Sequence, residues 1–377
     1  MKYYIISGEA SGDLHGSNLI KQLKQIDISA NIRCWGGEMM QNAGATLVKH
    51  YKELAFMGFA EVIKNLPTIL SNIRFCKEDI KKFSPDVLVL IDYPGFNLRI
   101  AEWGKQQGYK IVYYISPQVW AWKANRVKKM RLCIDKMMVI LPFEKDYFKN
   151  TWQWDVDYVG HPLVEVIELY KKIHTFSPIT NSPLPIIALL PGSRKQEIEK
   201  KLPLMLEVSK QFPNYHFIVA KAPGQEDSFY EPFLKAYKNV STTNNETYSL
   251  LACSKAALVT SGTATLETAL FGVPEVVCYK GSKISYEIGK RLIKIKYISL
   301  VNLIMDKLVV TELIQDELTT KNMVNELRLL LDDTSKQKQI AKDYTNLKSL
   351  LSESGNASAK AAKIINDFLL SNQVEKK

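Results

Sequence analysis

The chain has 377 residues, 46% of them hydrophobic and 24% charged, with ordinary amounts of glycine and proline. At about 150 residues per domain this is length for two domains or slightly more, and the composition excludes disorder, collagen and coiled coil. Lys and Arg number 50 against 39 Asp and Glu, a formal charge of +11, which favours anionic partners such as phosphates, nucleic acid or an acidic membrane surface.

The chain opens on Tyr3–Ser7, expected to be a strand, and reaches Glu9 and Asp13 too soon for a signal peptide. Further strands are expected at Ile32–Trp35, Val87–Ile91, Lys110–Ile115, Lys136–Ile140 and Val156–Val159, with helices between them such as Leu14–Gln25 and Asn97–Gln107. Alternation of this kind predicts a doubly wound parallel sheet. Lys171–Pro185 carries three prolines and little periodicity and reads as a linker, with the boundary near Tyr170–Asn181. Alternation then restarts at Ile186–Leu190, His216–Ala220, Ala256–Val259 and Glu275–Cys278, and the chain ends on a helix within Asn356–Leu370. The expected division is therefore 1–170, 171–345 and a last helical stretch, 346–377.

Cys34, Cys76, Cys133, Cys253 and Cys278 form no CxxC pair and are odd in number, so neither a disulfide framework nor a zinc module is expected. No apolar run approaches the ~20 residues that cross a bilayer. A cytosolic protein that can still lie on a membrane is the expectation.

Two open parallel sheets in series make a cleft, and such sheets bind ligands beyond the carboxyl ends of their strands. Five loops lie there. In Gly8–Gly16 two glycines let the backbone turn tightly ahead of a helix N-terminus. Ser11 or Asp13 serves that helix as a cap, whereas Glu9 caps nothing obvious and stands open between function and structure. In Leu90–Asn97, Asp92 ends an apolar strand; it reads equally as a general base at the cleft floor or as an Asp starting a proline turn. Ser116–Lys123 sets Trp120 and Trp122 beside a basic run, stacking on a sugar, sitting at a membrane interface, or more plainly filling the core. Leu189–Arg194 offers Gly192, Ser193 and the planar fork of Arg194 to phosphate oxygens; the plainer reading is a Ser cap and a surface Arg. In Ser261–Glu267, Ser261, Gly262 and Thr263 open a helix as an anion site does, and Glu267, one turn in, is set to accept from ribose hydroxyls.

The last two loops together describe a nucleoside-diphosphate pocket without a Walker lysine motif. No carboxylate pair and no histidine spacing suits a metal, and no cofactor is expected. His161-Pro162 reads as a hinge or a sugar contact, or more plainly as structure. Leu54–Leu70 is apolar for its length, a core helix or a membrane-facing patch. Lys280–Lys296 holds six basic residues against Glu287, a solvated face that also fits anionic lipid.

The runs GEASGDLHG, ELAFMGFAEV, IDYPGFN, SPQVWAW, LPFE, VGHPL, LLPGSR, SGTATLE and YISLVNL follow in this order from Gly8 to Leu303. Together they resemble lipid-A-disaccharide synthase, a glycosyltransferase of Gram-negative bacteria. The resemblance implies a GT-B fold of two Rossmann-like halves with the C-terminal helix crossing back to the first. It implies transfer of 2,3-diacylglucosamine from UDP to 2,3-diacylglucosamine 1-phosphate (lipid X), with UDP-2,3-diacylglucosamine as donor. It also implies a peripheral protein on the anionic surface of the inner membrane, often a homodimer, with no nucleic-acid partner.

By the same resemblance the catalytic residues are Asp92, the essential acid and proposed base, and Glu9 of the first loop, with Ser11 beside it among the UDP-sugar-binding residues. Arg194 meets the UDP phosphates, Asn302 lies near the donor and Glu267 binds ribose. Ala60, Val62, Ile63, Leu66, Ile69 and Leu70 form the membrane patch. The expected reaction is a single in-line displacement with inversion and without metal. The runner-up is another GT-B enzyme, a UDP-N-acetylglucosamine transferase or a sugar epimerase; a non-catalytic nucleotide-sugar or lipid binder is a third class.

Overall fold

The computed structural model describes residues 1–54, 66–174, 179, 182–223, 225–282, 286, 295–353 and 355–374. The chain divides into two units, one of Met1–Pro162 with Leu351–Lys377 and one of Leu163–Leu350.

In the first unit, β1 (Lys2–Ile6), β2 (Asn31–Gly36), β3 (Thr46–His50), β4 (Val87–Ile91), β5 (Lys110–Tyr114), β6 (Lys136–Val139) and β7 (Asp157–Tyr158) form one parallel sheet, in the order β3-β2-β1-β4-β5-β6-β7. Successive side chains of a strand face opposite ways. Tyr4 and Ile6 therefore pack with Trp35, Leu88 and Leu90 on one face, and Tyr3 and Ile5 with Leu19, Val87 and Val89 on the other. Both faces are covered, which is why β1 and β4 read as near-continuous apolar runs. The second face is closed by the helix Ala10–Ile26 and by the last helix, Ala357–Val374, whose Ala361, Ala362, Ile365 and Leu369 are buried in the same cluster.

In the second unit, β8 (Ile186–Leu190), β9 (His216–Lys221), β10 (Val240–Asn244), β11 (Ser254–Thr260), β12 (Glu275–Tyr279) and β13 (Thr311–Ile314) form a parallel sheet in the order β10-β9-β8-β11-β12-β13. Each sheet reverses its winding once, between β1 and β4 in the first and between β8 and β11 in the second. These are the topological switch points at which open α/β sheets bind ligands.

The unit boundary differs from the sequence expectation. The chain passes between units at Pro162 and Leu163, before the proline-rich stretch, because the helix Pro162–Ile173 already belongs to the second unit over most of its length. Tyr170 bonds to Ser249 at 2.8 Å and the Lys171 ammonium donates to Leu270 O at 2.8 Å. The return falls at Leu351 rather than residue 346, inside the helix Thr334–Ser352, where Lys348 still pairs with Glu168 of the second unit at 2.8 Å. Three strands, β3, β10 and β13, escaped the sequence reading. They are edge strands, largely half-buried, and a strand packed on few sides carries too short an apolar run to stand out.

Candidate active site

The first cluster is built where β1 and β4 end side by side, Ile6 beside Leu90. After β4 the chain enters Asp92 and Tyr93 at φ +43° and +49°. Two consecutive left-handed residues are strained unless their surroundings fix them, and here they are fixed. The Asn97 side chain, fully buried, donates from Nδ2 to Asp92 O at 2.8 Å, Ile91 O at 3.1 Å and Ile6 O at 3.3 Å. Tyr113 Oη donates to Asp92 O at 2.5 Å, and Asp92 N–H donates to Tyr114 O at 3.1 Å. The backbone is therefore held from β1, β4 and β5, and the half-buried Asp92 carboxylate is what projects from it. Burial, then the negative charge of Glu9, push that carboxylate up from its ordinary 3.8 to about 6.

Glu9 is exposed at the N-cap position of the helix Ala10–Ile26 and makes no capping bond, and Ser11 lies exposed beside it. Gly8 is required: a Cβ there would stand 2.3 Å from the Tyr93 ring. Asp13 departs from expectation. It is buried and accepts from Gly37 N at 2.7 Å, Met40 N at 3.0 Å and Met39 N at 3.2 Å. It caps the following helix, Glu38–Asn42, instead of its own.

Sequence reasoning passed over a second acid here. Glu144, from LPFE, is fully buried and accepts from Trp120 Nε1 at 3.1 Å, Leu141 N at 2.9 Å and Ile140 N at 3.2 Å. Burial outweighs these bonds and lifts it to about 7, with Asp92 adding like charge. The signal was available, since Glu144 is an acid in the first turn of the helix Pro142–Trp152, five residues past the end of β6. The two tryptophans of the third loop part company. Trp120 bonds Glu144 and packs edge-on to Phe143, whereas Trp122 is 48% exposed with the Lys123 ammonium 3.9 Å from its ring centre. His15 and His161 are both buried and held neutral, at about 4 and about 3 respectively, by desolvation. The backbone N–H of His161 donates to Leu351 O at 3.3 Å.

The second cluster lies where β8 and β11 end together, Leu190 beside Val259. β8 runs into Pro191 and Gly192 at φ +122°, then exposed Ser193 and Arg194. Arg194, not Ser193, takes the N-cap position of the helix Lys195–Ser209. Its guanidinium is 64% exposed and donates from Nη1 to Glu197 Oε1 at 3.3 Å. β11 runs into Ser261 and Gly262 at φ +131°, and Thr263 opens the helix Thr263–Phe271. The first N–H groups and positive end of that helix suit an anion. One turn in, Glu267 accepts from Tyr248 Oη at 2.8 Å, and burial raises its pKa.

Asn302 lies in the helix Leu300–Met305. It is fully buried and spends both ends internally: Nδ2 donates to Val310 O at 2.8 Å and Glu312 Oε1 at 2.9 Å, and Oδ1 accepts from Val309 N and Val310 N. It braces the turn into β13. Of the membrane patch, Ala60, Val62 and Ile63 and the Leu66 side chain lie outside the described residues. Ile69 packs on the first core and Leu70 is 55% exposed. Of the basic stretch, Lys283, Lys290, Arg291 and Lys294 likewise lie outside them. Among the described residues no helix is long and apolar enough to cross a membrane.

The family model for lipid-A-disaccharide synthetase matches residues 3–365. The chain belongs to the lipid-A-disaccharide synthase family. A relative from Geobacter metallireducens is 37% identical over 372 residues, covering 97% of this chain and 96% of the relative. One from Coxiella burnetii is 35% identical over 373 residues, covering 97% and 98%. Two solved structures share the fold. A UDP-GlcNAc 2-epimerase from Neisseria meningitidis bound to UDP-GlcNAc has TM-score 0.65 at 14% identity, covering 98% of this chain and all of that one. The calicheamicin glycosyltransferase CalG4 has TM-score 0.63 at 15% identity, covering 98% of each. The fold class is GT-B, and family membership makes the chain a glycosyltransferase of lipid A biosynthesis.

Proposed function

We propose that this chain joins UDP-2,3-diacylglucosamine to lipid X, giving the β-1,6-linked disaccharide 1-phosphate and UDP with inversion. The first unit takes the acceptor and the second the UDP-sugar. Asp92 is the base: it receives the proton of the acceptor 6-hydroxyl as that oxygen bonds the anomeric carbon. The bond from that carbon to the UDP oxygen breaks on the opposite face, and its electron pair leaves with the diphosphate. Arg194, Gly192, Ser193 and the helix start at Ser261, Gly262 and Thr263 stabilise the departing charge. Glu267 accepts from the ribose, Ser11 contacts the UDP-sugar, and Glu9 acts in catalysis beside Asp92. With a net charge of +11 and exposed Leu70, the protein works at the anionic surface of the inner membrane, where its acylated substrates reside.

The observation that carries this reading is Asp92 itself, a carboxylate held near 6 on a strained, fully braced turn at a switch point. A proton acceptor poised near working pH is what general-base catalysis asks for. The test is one incubation with both lipid substrates and EDTA, read by mass spectrometry. Disaccharide 1-phosphate is expected with lipid X and none without it. Conversion of the UDP-sugar without lipid X would favour the epimerase reading instead.

A further inference from the structure

Lys201 has no place in the account so far. It lies in the second turn of the helix Lys195–Ser209, yet its side chain is only 3% exposed. Lysine is among the residues least often buried, and a buried ammonium costs several kcal/mol of desolvation unless it is paired. This one turns inward toward the switch point of the second sheet. It donates to Thr260 Oγ1, on the last residue of β11, and lies 3.7 Å from Glu197 Oε2. A Cβ built on Gly192 would stand 3.4 Å from the ammonium and 2.5 Å from Glu197 Oε2. The ammonium and carboxylate thus sit directly under the Gly192 turn.

Glu197 is shared. Its other oxygen accepts from Arg194 Nη1 at 3.3 Å. A single line of polar groups, Arg194–Glu197–Lys201–Thr260, therefore runs from the loop after β8 to the end of β11. It carries two positive charges against one negative. Cys278 on β12 supplies no second counter-charge, because burial pushes its thiol up to about 12 and leaves it neutral. Burial also lowers the pKa of Lys201 itself, the mark of a cation short of compensation.

We propose that Lys201 is the buried cation of the diphosphate site, a positioning residue that holds Glu197 and Thr260 so that Arg194 is free to leave Glu197 for an incoming diphosphate. This rests on the reading that the second unit binds a nucleoside diphosphate. Without Lys201 the carboxylate has one cation left to satisfy it, Arg194, and the arginine stays paired at the expense of the ligand. The excess positive charge beneath the two glycine turns is compensated when the diphosphate arrives.

The test is calorimetric titration of the full chain with UDP and with uridine. Lys201→Met is expected to weaken UDP by about tenfold, the size of one charge-assisted hydrogen bond, and to leave uridine unchanged. Lys201→Met combined with Glu197→Gln is expected to regain most of that loss, a rescue that a merely structural lysine would not show. If Lys201→Met does not fold, Thr260→Val removes the ammonium's hydrogen-bond partner, and the same selective loss of UDP is expected. UDP binding at wild-type strength in the folded variant, or loss of uridine in parallel, overturns the role of Lys201. Failure of the wild-type chain to bind UDP instead overturns the nucleotide reading beneath it.

Discussion

At Asp92 two influences act in one direction: the carboxyl is withdrawn from water, and Glu9 stands near it with like charge. The folded protein therefore holds its proton to about pH 6, whereas the unfolded chain releases it near 4. The sign of the linkage follows. Stability from this group is present below the unfolded value and is lost as pH rises through the folded one. Asp92→Asn is expected to cut turnover by about 100- to 10,000-fold while UDP affinity stays at the wild-type level. Its Tm is expected to match wild type near pH 4 and to exceed it above pH 6, by differential scanning calorimetry across that range. Activity of the wild type, measured as turnover against pH, is expected to fall as acid protonates the base below pH 6. Near-full turnover in the asparagine variant would remove Asp92 from this role.

The turn that presents Asp92 is a property of its flanking elements. Strand β4 delivers the chain, the helix Pro94–Gln106 receives it, and Asn97 in the first turn of that helix reaches back to carbonyls of β1 and β4. Asn97→Ala deletes three hydrogen bonds to buried or half-buried carbonyls and releases two left-handed residues. Chemical denaturation is expected to show a loss of about 1–3 kcal/mol. Steady-state kinetics are expected to show kcat falling while the affinity for UDP holds. Gly8→Ala attacks the same turn from the other side, because its Cβ would stand 2.3 Å from the Tyr93 ring. A similar fall in kcat is expected, with a smaller loss when Tyr93→Ala is added to make room. Before the structure, the sequence showed the glycines, Asp92 and the proline. It did not show that Asn97 is the clamp, because the carbonyls it satisfies belong to residues 6, 91 and 92, brought together only by strand pairing.

On the scale of the whole molecule, the C-terminal residues are part of the first unit's core. Ile365 is fully buried among Leu19, Leu23 and their neighbours on one face of the first sheet. Ile365→Ala is expected to lower the stability of the first unit by about 2–5 kcal/mol. In a denaturation followed by tryptophan fluorescence, this should appear as an earlier transition of that unit. All six tryptophans (Trp35, Trp103, Trp120, Trp122, Trp152 and Trp154) lie within it, so the probe reports on the unit carrying the change. An unchanged midpoint would mean that the last helix is dispensable to the core. The excess of positive charge is likewise a whole-molecule property. Sedimentation with anionic vesicles is expected to capture the protein at low salt and to release it as salt screens the charge.

The sequence by itself determined the alternation of strands and helices, and hence two doubly wound parallel sheets, because strands buried on both faces must be apolar throughout. It also marked Asp92, Arg194 and the Ser261–Glu267 helix start, because glycines and polar residues directly after apolar runs announce strand exits. Only the tertiary structure decided the rest. The edge strands β3, β10 and β13 take their place from pairing with a neighbour, not from a pattern of their own. Asp13 caps a helix some 25 residues away in the chain, Asn302 closes on Val309, Val310 and Glu312, Glu144 meets Trp120, and Lys201 turns inward to Thr260. In each case the partner is distant or faces an unexpected side, so contact in space, which short-range spacing does not record, assigns the role.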